Sequence, residues 1–176
     1  MIKRFILALT VLSSPAAAQT AITTFGATEA GACYENAQNA LSEDTAPCDD
    51  ALRKKSTTRV DRKKTLVNRA IILNRRGDVG EALADIASAL EIDLSFAEAY
   101  LNRGNSYFLL KRYDEAFADY ERALSLNVSE PWAAWYNIGL VHDARNETRN
   151  AQEAYRKALA LKPDFQLALA KLSDEN

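Results

Sequence analysis

The sequence predicts an all-α chain: an α-solenoid of three stacked helix pairs, with a degenerate, disulfide-linked helix pair before them and a capping helix after them. Three observations predict it. Composition is the first: 48% hydrophobic and 26% charged residues, with only six glycines and four prolines in 176 residues, favour helix over loop-rich or low-complexity structure. Internal repetition is the second. Segments 63–96, 97–131 and 132–165 align at spacings of 34 and 35 residues, with Asn68, Asn102 and Asn137 in register. Ala70, Gly104 and Gly139 also align, as do Ala82, Ala116 and Ala151, and Ala89, Ala123 and Ala158. Helical periodicity is the third: Tyr100, Gly104 and Tyr107 share one face of a helix, and Ala116, Tyr120 and Ala123 share a face of the next.

Taken in chain order, the first element is a targeting segment. "MIKRFILALTVLSSPAAAQT" places Lys3 and Arg4 before an apolar run from Phe5 to Leu12 and then Ala16, Ala17 and Ala18. That order is a secretory signal peptide over 1–18, cut after Ala18, and its apolar run is too short to span a bilayer. Export makes the two cysteines, Cys33 and Cys48, a structural disulfide by default, with a redox pair as the alternative. Residues 19–28 are expected to be disordered. "CYENAQNAL" and "CDDALRKKS", within 29–62, read as the degenerate helix pair.

In each repeat, small residues allow the two helices to approach and large ones fill the space beside them. Lys111 and Arg112, followed by Tyr113 and Asp114, are expected to form the short turn of the middle copy. Asp114 there, and Asp78 in the first copy, are the expected helix caps. Pro131 and Pro163 sit between repeats, where a helix must start or stop. Residues 166–176 form the closing helix and tail, whose charged outer face suits a terminal cap.

This pattern resembles the tetratricopeptide repeat. Tyr100, Gly104 and Tyr107 match the family's aromatic–small–aromatic signature. Ala116, Tyr120, Ala123 and Ala151, Tyr155, Ala158 match its alanine–aromatic–alanine signature, and Pro163 its terminal proline. The first copy departs: Leu66, Leu73 and Ile86 replace aromatics, and Leu94 replaces the proline. The resemblance implies a superhelix with a concave groove lined by one stripe of each first helix. By helical spacing and by that resemblance, the partner-binding residues are Lys64, Val67, Asn68, Ile71 and Asn74; then Leu101, Asn102, Asn105 and Phe108; then Tyr136, Asn137 and Leu140. Apolar side chains interleaved with asparagines suit an extended peptide, because an amide both donates to and accepts from a backbone.

The expected function is therefore a non-catalytic adaptor of the periplasm or secreted space that binds a protein or peptide partner. A homo-oligomer is compatible with this reading, and no integral membrane segment remains after signal cleavage. A thiol–disulfide redox protein is the alternative. The formal charge of −2 gives no reason to expect nucleic acid. No cofactor or metal is expected: His142 has no second histidine or neighbouring cysteine, and "GDVG" (77–80) lacks the lysine and the preceding strand of a phosphate loop. The cations of a carboxylate clamp are missing at Val67, Ile71, Asn102, Ala133 and Asn137. Arg69 and Arg103 recur in register and are read as structural ion pairs. "NVS" and "NET" match glycosylation acceptors, and Trp132 and Trp135 read as packing residues.

Overall fold

Side-chain size decides how closely the helices pair, and the computed structural model shows this most plainly in the middle repeat. The structure describes Ala18, Ala21, Ile22 and residues 28–173. The expected signal peptide upstream of Ala18, most of 19–28 and the last three residues lie outside the described residues. Among those described, nine helices follow one another: α1 Thr28–Gln38, α2 Ala46–Arg53, α3 Arg59–Arg76, α4 Val79–Ile92, α5 Ala97–Leu109, α6 Tyr113–Ser125, α7 Pro131–Ala144, α8 Thr148–Leu161 and α9 Gln166–Ser173. Pairs α3/α4, α5/α6 and α7/α8 stack in order; α3, α5 and α7 also touch in succession and form one layer. The pair α1/α2 closes one end against α3, and α9 closes the other against α8.

Gly104 sets the approach of α5 and α6. A Cβ there would stand 2.5 Å from Cε1 of Tyr120, whose side chain is wholly buried. Gly139 meets the Tyr155 ring in the same way. In the first repeat the equivalent pair is Ala70 and Ile86, both fully buried in one cluster. A narrower side chain on α4 leaves room for the methyl group that α5 and α7 cannot carry.

The turn inside each repeat closes in one way three times. Gly77, Lys111 and Asn146 occupy equivalent positions and all have positive φ, 84°, 59° and 59°. The following N–H reaches back to close a six-residue loop: Asp78 to Leu73, Arg112 to Tyr107 and Glu147 to His142, each at 2.9 Å. This is the glycine-type helix stop, built twice without glycine. Asn127 (φ 56°) ends α6 likewise, with Val128 N–H on Ala123 O at 3.1 Å. Both asparagines of the glycosylation-like triplets thus serve as left-handed turn residues.

The helix starts differ from expectation. Asp78 precedes α4 but makes no side-chain cap; its carboxylate pairs with Arg76 at 2.8 Å. Asp114 already lies inside α6, where it pairs with Arg145. In both cases a nearby guanidinium competes with the backbone N–H groups for the carboxylate. Thr58 does cap α3, accepting from Asp61 N–H at 3.1 Å.

The N-terminal pair is held by covalent and polar ties. Cys33 and Cys48 form a disulfide whose sulfurs are buried against Ile71 and Ile72. Arg75 of α3 donates to the carbonyls of Asn36, Ala37, Asn39 and Ser42, so one guanidinium closes the C-terminal end of α1. Burial lowers the Arg75 pKa from its ordinary value.

Two outcomes follow from this packing. Gly104→Ala should cost about 1–3 kcal/mol by overpacking, and the same substitution in a Tyr120→Ile background should cost nothing or stabilise; denaturant midpoints of the four chains check the coupling. Lys111→Gly should raise stability by about 0.5–1 kcal/mol, since glycine carries no left-handed penalty; an unchanged or lowered midpoint would refute the turn geometry.

Candidate functional site: an amide-lined inner face

Helices α3, α5 and α7 each carry an asparagine on the inner face at equivalent depth. Asn68, Asn102 and Asn137 have no solvent exposure, nor has Asn105 one turn beyond Asn102. A buried amide needs partners for both its ends, and these find them in backbone and in one another. Asn137 Nδ2 and the Tyr120 hydroxyl both donate to Asn105 Oδ1, at 2.8 and 3.0 Å. Burial pushes the Tyr120 phenol well above its usual pKa, so it remains a donor. Asn102 Nδ2 donates to the Glu98 carbonyl at 2.9 Å. Asn74 Nδ2 donates to Ser106 Oγ at 2.9 Å, linking α3 to α5.

Two of these asparagines grip a main chain from outside the repeats. Ile22 N–H donates to Asn68 Oδ1 and Asn68 Nδ2 donates to Ile22 O, both at 2.7 Å. At the far end Ala18 N–H donates to Asn137 Oδ1 at 2.7 Å, and Asn137 Nδ2 donates to Ala18 O at 2.8 Å. Asn105 Nδ2 reaches the same carbonyl at 3.2 Å. Each amide reads one residue's donor and acceptor together, and no side chain of the bound segment is needed for it. Ile22 lies inside the stretch expected to be disordered, and its backbone groups are paired here.

The apolar part of the expected stripe is placed differently. Val67, Ile71 and Leu101 are fully buried; Tyr136 and Leu140 are nearly so. Val67 packs within the α3/α4 cluster, Ile71 against the disulfide, and Leu101 within the α5/α6/α7 cluster. Their burial is shared with the segment that bears Ala18, Ala21 and Ile22: Ile22 packs on the cluster of Val67, Ala21 on that of Ile71, and Ala18 on those of Leu101 and Leu140. Lys64 and Phe108 are partly exposed at the edges of the face.

The recurring arginines do not face the groove. Arg103 makes a two-pronged pair with Asp119, Nε to Oδ2 and Nη2 to Oδ1, each at 2.7 Å. Arg69 does the same with Asp85 at 2.7 Å and adds Asp49 of α2 at 2.6 Å. Hydrogen bonds to these carboxylates raise both guanidinium pKa values, Asp85 before Asp49 for Arg69. The third repeat has Ile138 and Ala154 at the equivalent positions, both buried in one cluster. His142 packs edge-on to Phe117 and contacts Glu147 through Nδ1 at 2.5 Å. Trp132 stacks on Phe165 at 4.7 Å, and Lys162 and Lys157 sit over the Trp132 and Trp135 rings at 4.0 and 4.4 Å. Among the described residues no cluster of histidine, cysteine and carboxylates could hold a metal, and no helix is long and apolar enough to cross a membrane.

With this geometry in hand, the relatives are informative. Residues 97–129 and 132–165 match the family model described as tetratricopeptide repeat. Those matches cover α5/α6 and α7/α8, so two of the three stacked pairs are similar to the tetratricopeptide repeat. Human Tetratricopeptide repeat protein 13 is 35% identical over 109 residues, 62% of this chain and 12% of that protein. The DnaJ homolog subfamily C member 7 homolog of Dictyostelium discoideum is 33% identical over 115 residues, 55% of this chain and 21% of that one. This chain therefore spans a small part of these relatives' length. Among solved structures, MamA superposes with a TM-score of 0.59 and 26% identity, covering 73% of this chain and 72% of that one. The first repeat domain of Spaghetti (RPAP3), solved bound to an HSP90 peptide, has a TM-score of 0.59 at 23% identity, covering 64% and 89% of the two chains.

The first two repeats and the third can be interchanged at the ion pair. Arg103→Ile alone should cost roughly 2–4 kcal/mol, because Asp119 is left buried without its partner. Arg103→Ile with Asp119→Ala, copying the third repeat, should return to within about 1 kcal/mol of the parent; thermal or denaturant unfolding reads both.

Proposed function

We propose that this chain is a non-catalytic protein-interaction module of the periplasm or secreted space, which holds an extended segment of a partner protein along the inner face of its repeats. The observation that carries the proposal is the paired reading of a main chain by Asn68 and Asn137, each amide donating to and accepting from one residue. Structural neighbours solved with HSP90 and HSP70 peptides support a peptide-binding role for this fold. The order of cations, apolar run and alanines before Gln19 supports export. Burial of both sulfurs supports a structural disulfide over a redox pair, since exchange needs an accessible sulfur.

The test is capture from envelope or culture-medium extract of the source organism, with the protein and its Asn68→Ala/Asn137→Ala variant compared as bait. A partner retained by the first and lost by the second, with equal circular dichroism, is the expected result. A partner held equally by both would move the binding surface elsewhere. Chain recovered from outside the cytosol should begin at Gln19 by N-terminal sequencing; an N-terminus at Met1 would refute cleavage.

A further inference from the structure

The main chain gripped by Asn68 and Asn137 belongs to this protein itself. Ala18 and Ile22 are four residues apart in sequence. The two residues sit at opposite ends of the inner face, Ala18 on α7 and α5, Ile22 on α3. The bound chain therefore runs against the order of the repeats.

Its side chains are accommodated by size. Ala18 packs against both C-terminal clusters, which contain Leu101 and Leu140. Ala21 packs on the cluster around the disulfide and Ile71, and Ile22 on the cluster containing Leu66 and Val67. The Ala18 carbonyl accepts from two amides at once, those of Asn137 and Asn105, a crowded corner suited to a small residue.

We propose that the segment bearing Ala18 and Ile22 is a tethered occupant of the partner site, so that the uncut chain blocks its own groove. This rests on the peptide-binding reading above. It also names the ligand class: an extended segment of the same polarity, with a small residue at the Asn137 anchor, another small residue three positions on, and a branched aliphatic one after that at Asn68. Cleavage after Ala18 removes the residue that Asn137 holds while leaving Ile22 on Asn68. Processing thus opens the α5/α7 half of the groove to an external strand and leaves the α3 half guarded.

The probe is a fluorescent, end-capped pentapeptide, Ala-Gln-Thr-Ala-Ile, titrated by anisotropy into the full chain and into its Ala18→Pro/Ile22→Pro variant. Proline removes the two N–H donors and leaves every repeat residue unchanged. The variant should bind the peptide at least tenfold more tightly than the parent, the retro-sequence peptide should bind neither, and adding Asn68→Ala with Asn137→Ala should abolish binding. Equal affinity of parent and proline variant would overturn self-occupancy. Binding that survives the asparagine substitutions, or binding of the retro peptide, would overturn the assigned site and polarity. A peptide that binds neither form would overturn the ligand class; if an extract partner still depended on Asn68 and Asn137, the groove reading would survive that failure alone.

Discussion

The architecture depends on how closely two helices of a repeat can approach. A glycine on the first helix lies against the ring of a tyrosine from the second, at a separation that admits no methyl group. That contact buries a whole aromatic ring in a repeat too small to have a core of its own. It also aims the tyrosine hydroxyl at the inner face, where Tyr120 meets Asn105. Packing and amide orientation are thereby joined in one side chain: the ring spaces α5 from α6, and its hydroxyl orients an amide of the inner face. The Tyr155 hydroxyl goes to Asp143 at 2.6 Å, so the third repeat orders a carboxylate in the same manner.

Buried amides impose a second constraint. An asparagine with no exposed surface is costly unless both ends of its amide are paired. Asn105 and Asn137 spend part of their capacity on each other and part on Ala18. Asn68 pairs both ends of its amide with the main chain of Ile22, so its preference for a main chain is direct. A face of this kind favours an extended segment as such and discriminates among segments through the size of the pockets between the amides. On the peptide-binding proposal, affinity comes from the backbone and selectivity from steric exclusion.

Much of this was legible in the sequence. The repeat spacing, the small–large alternation and the alternating helix faces are periodic features, and periodicity survives translation into three dimensions. The Gly104–Tyr120 contact was visible as a residue-size pattern, and the amide stripe as three asparagines in register. Exposure was not legible. Val67, Ile71 and Leu101 have the spacing of a groove stripe, yet they are buried, with Ile22, Ala21 and Ala18 packed on their clusters. Burial depends on the whole stack, and a one-helix period carries no record of it. The turn chemistry was missed for a different reason. Lys111 and Asn146 adopt the left-handed conformation that Gly77 signals openly, and only their register with Gly77 could have revealed it. Arg75 left no signal either, because its carbonyl partners belong to the end of a helix more than thirty residues away.

The two ends of the solenoid reach stability by different chemistry. At the first end, the α1/α2 pair is short, and the disulfide, the Arg75 cap and the three-way contact of Arg69 with Asp49 and Asp85 bind it to α3. A polar or covalent tie loses its value when one partner moves, so these contacts hold α1, α2 and α3 in one fixed arrangement. At the other end the ion pair gives way to Ile138 and Ala154, and Trp132 and Tyr136 both meet Phe165 edge to face. Apolar packing is non-directional and tolerates small shifts without stranding a charge. The end tied by the disulfide and ion pairs is the one whose amide, Asn68, holds Ile22; the end packed by apolar and aromatic side chains is the one whose amide, Asn137, holds Ala18.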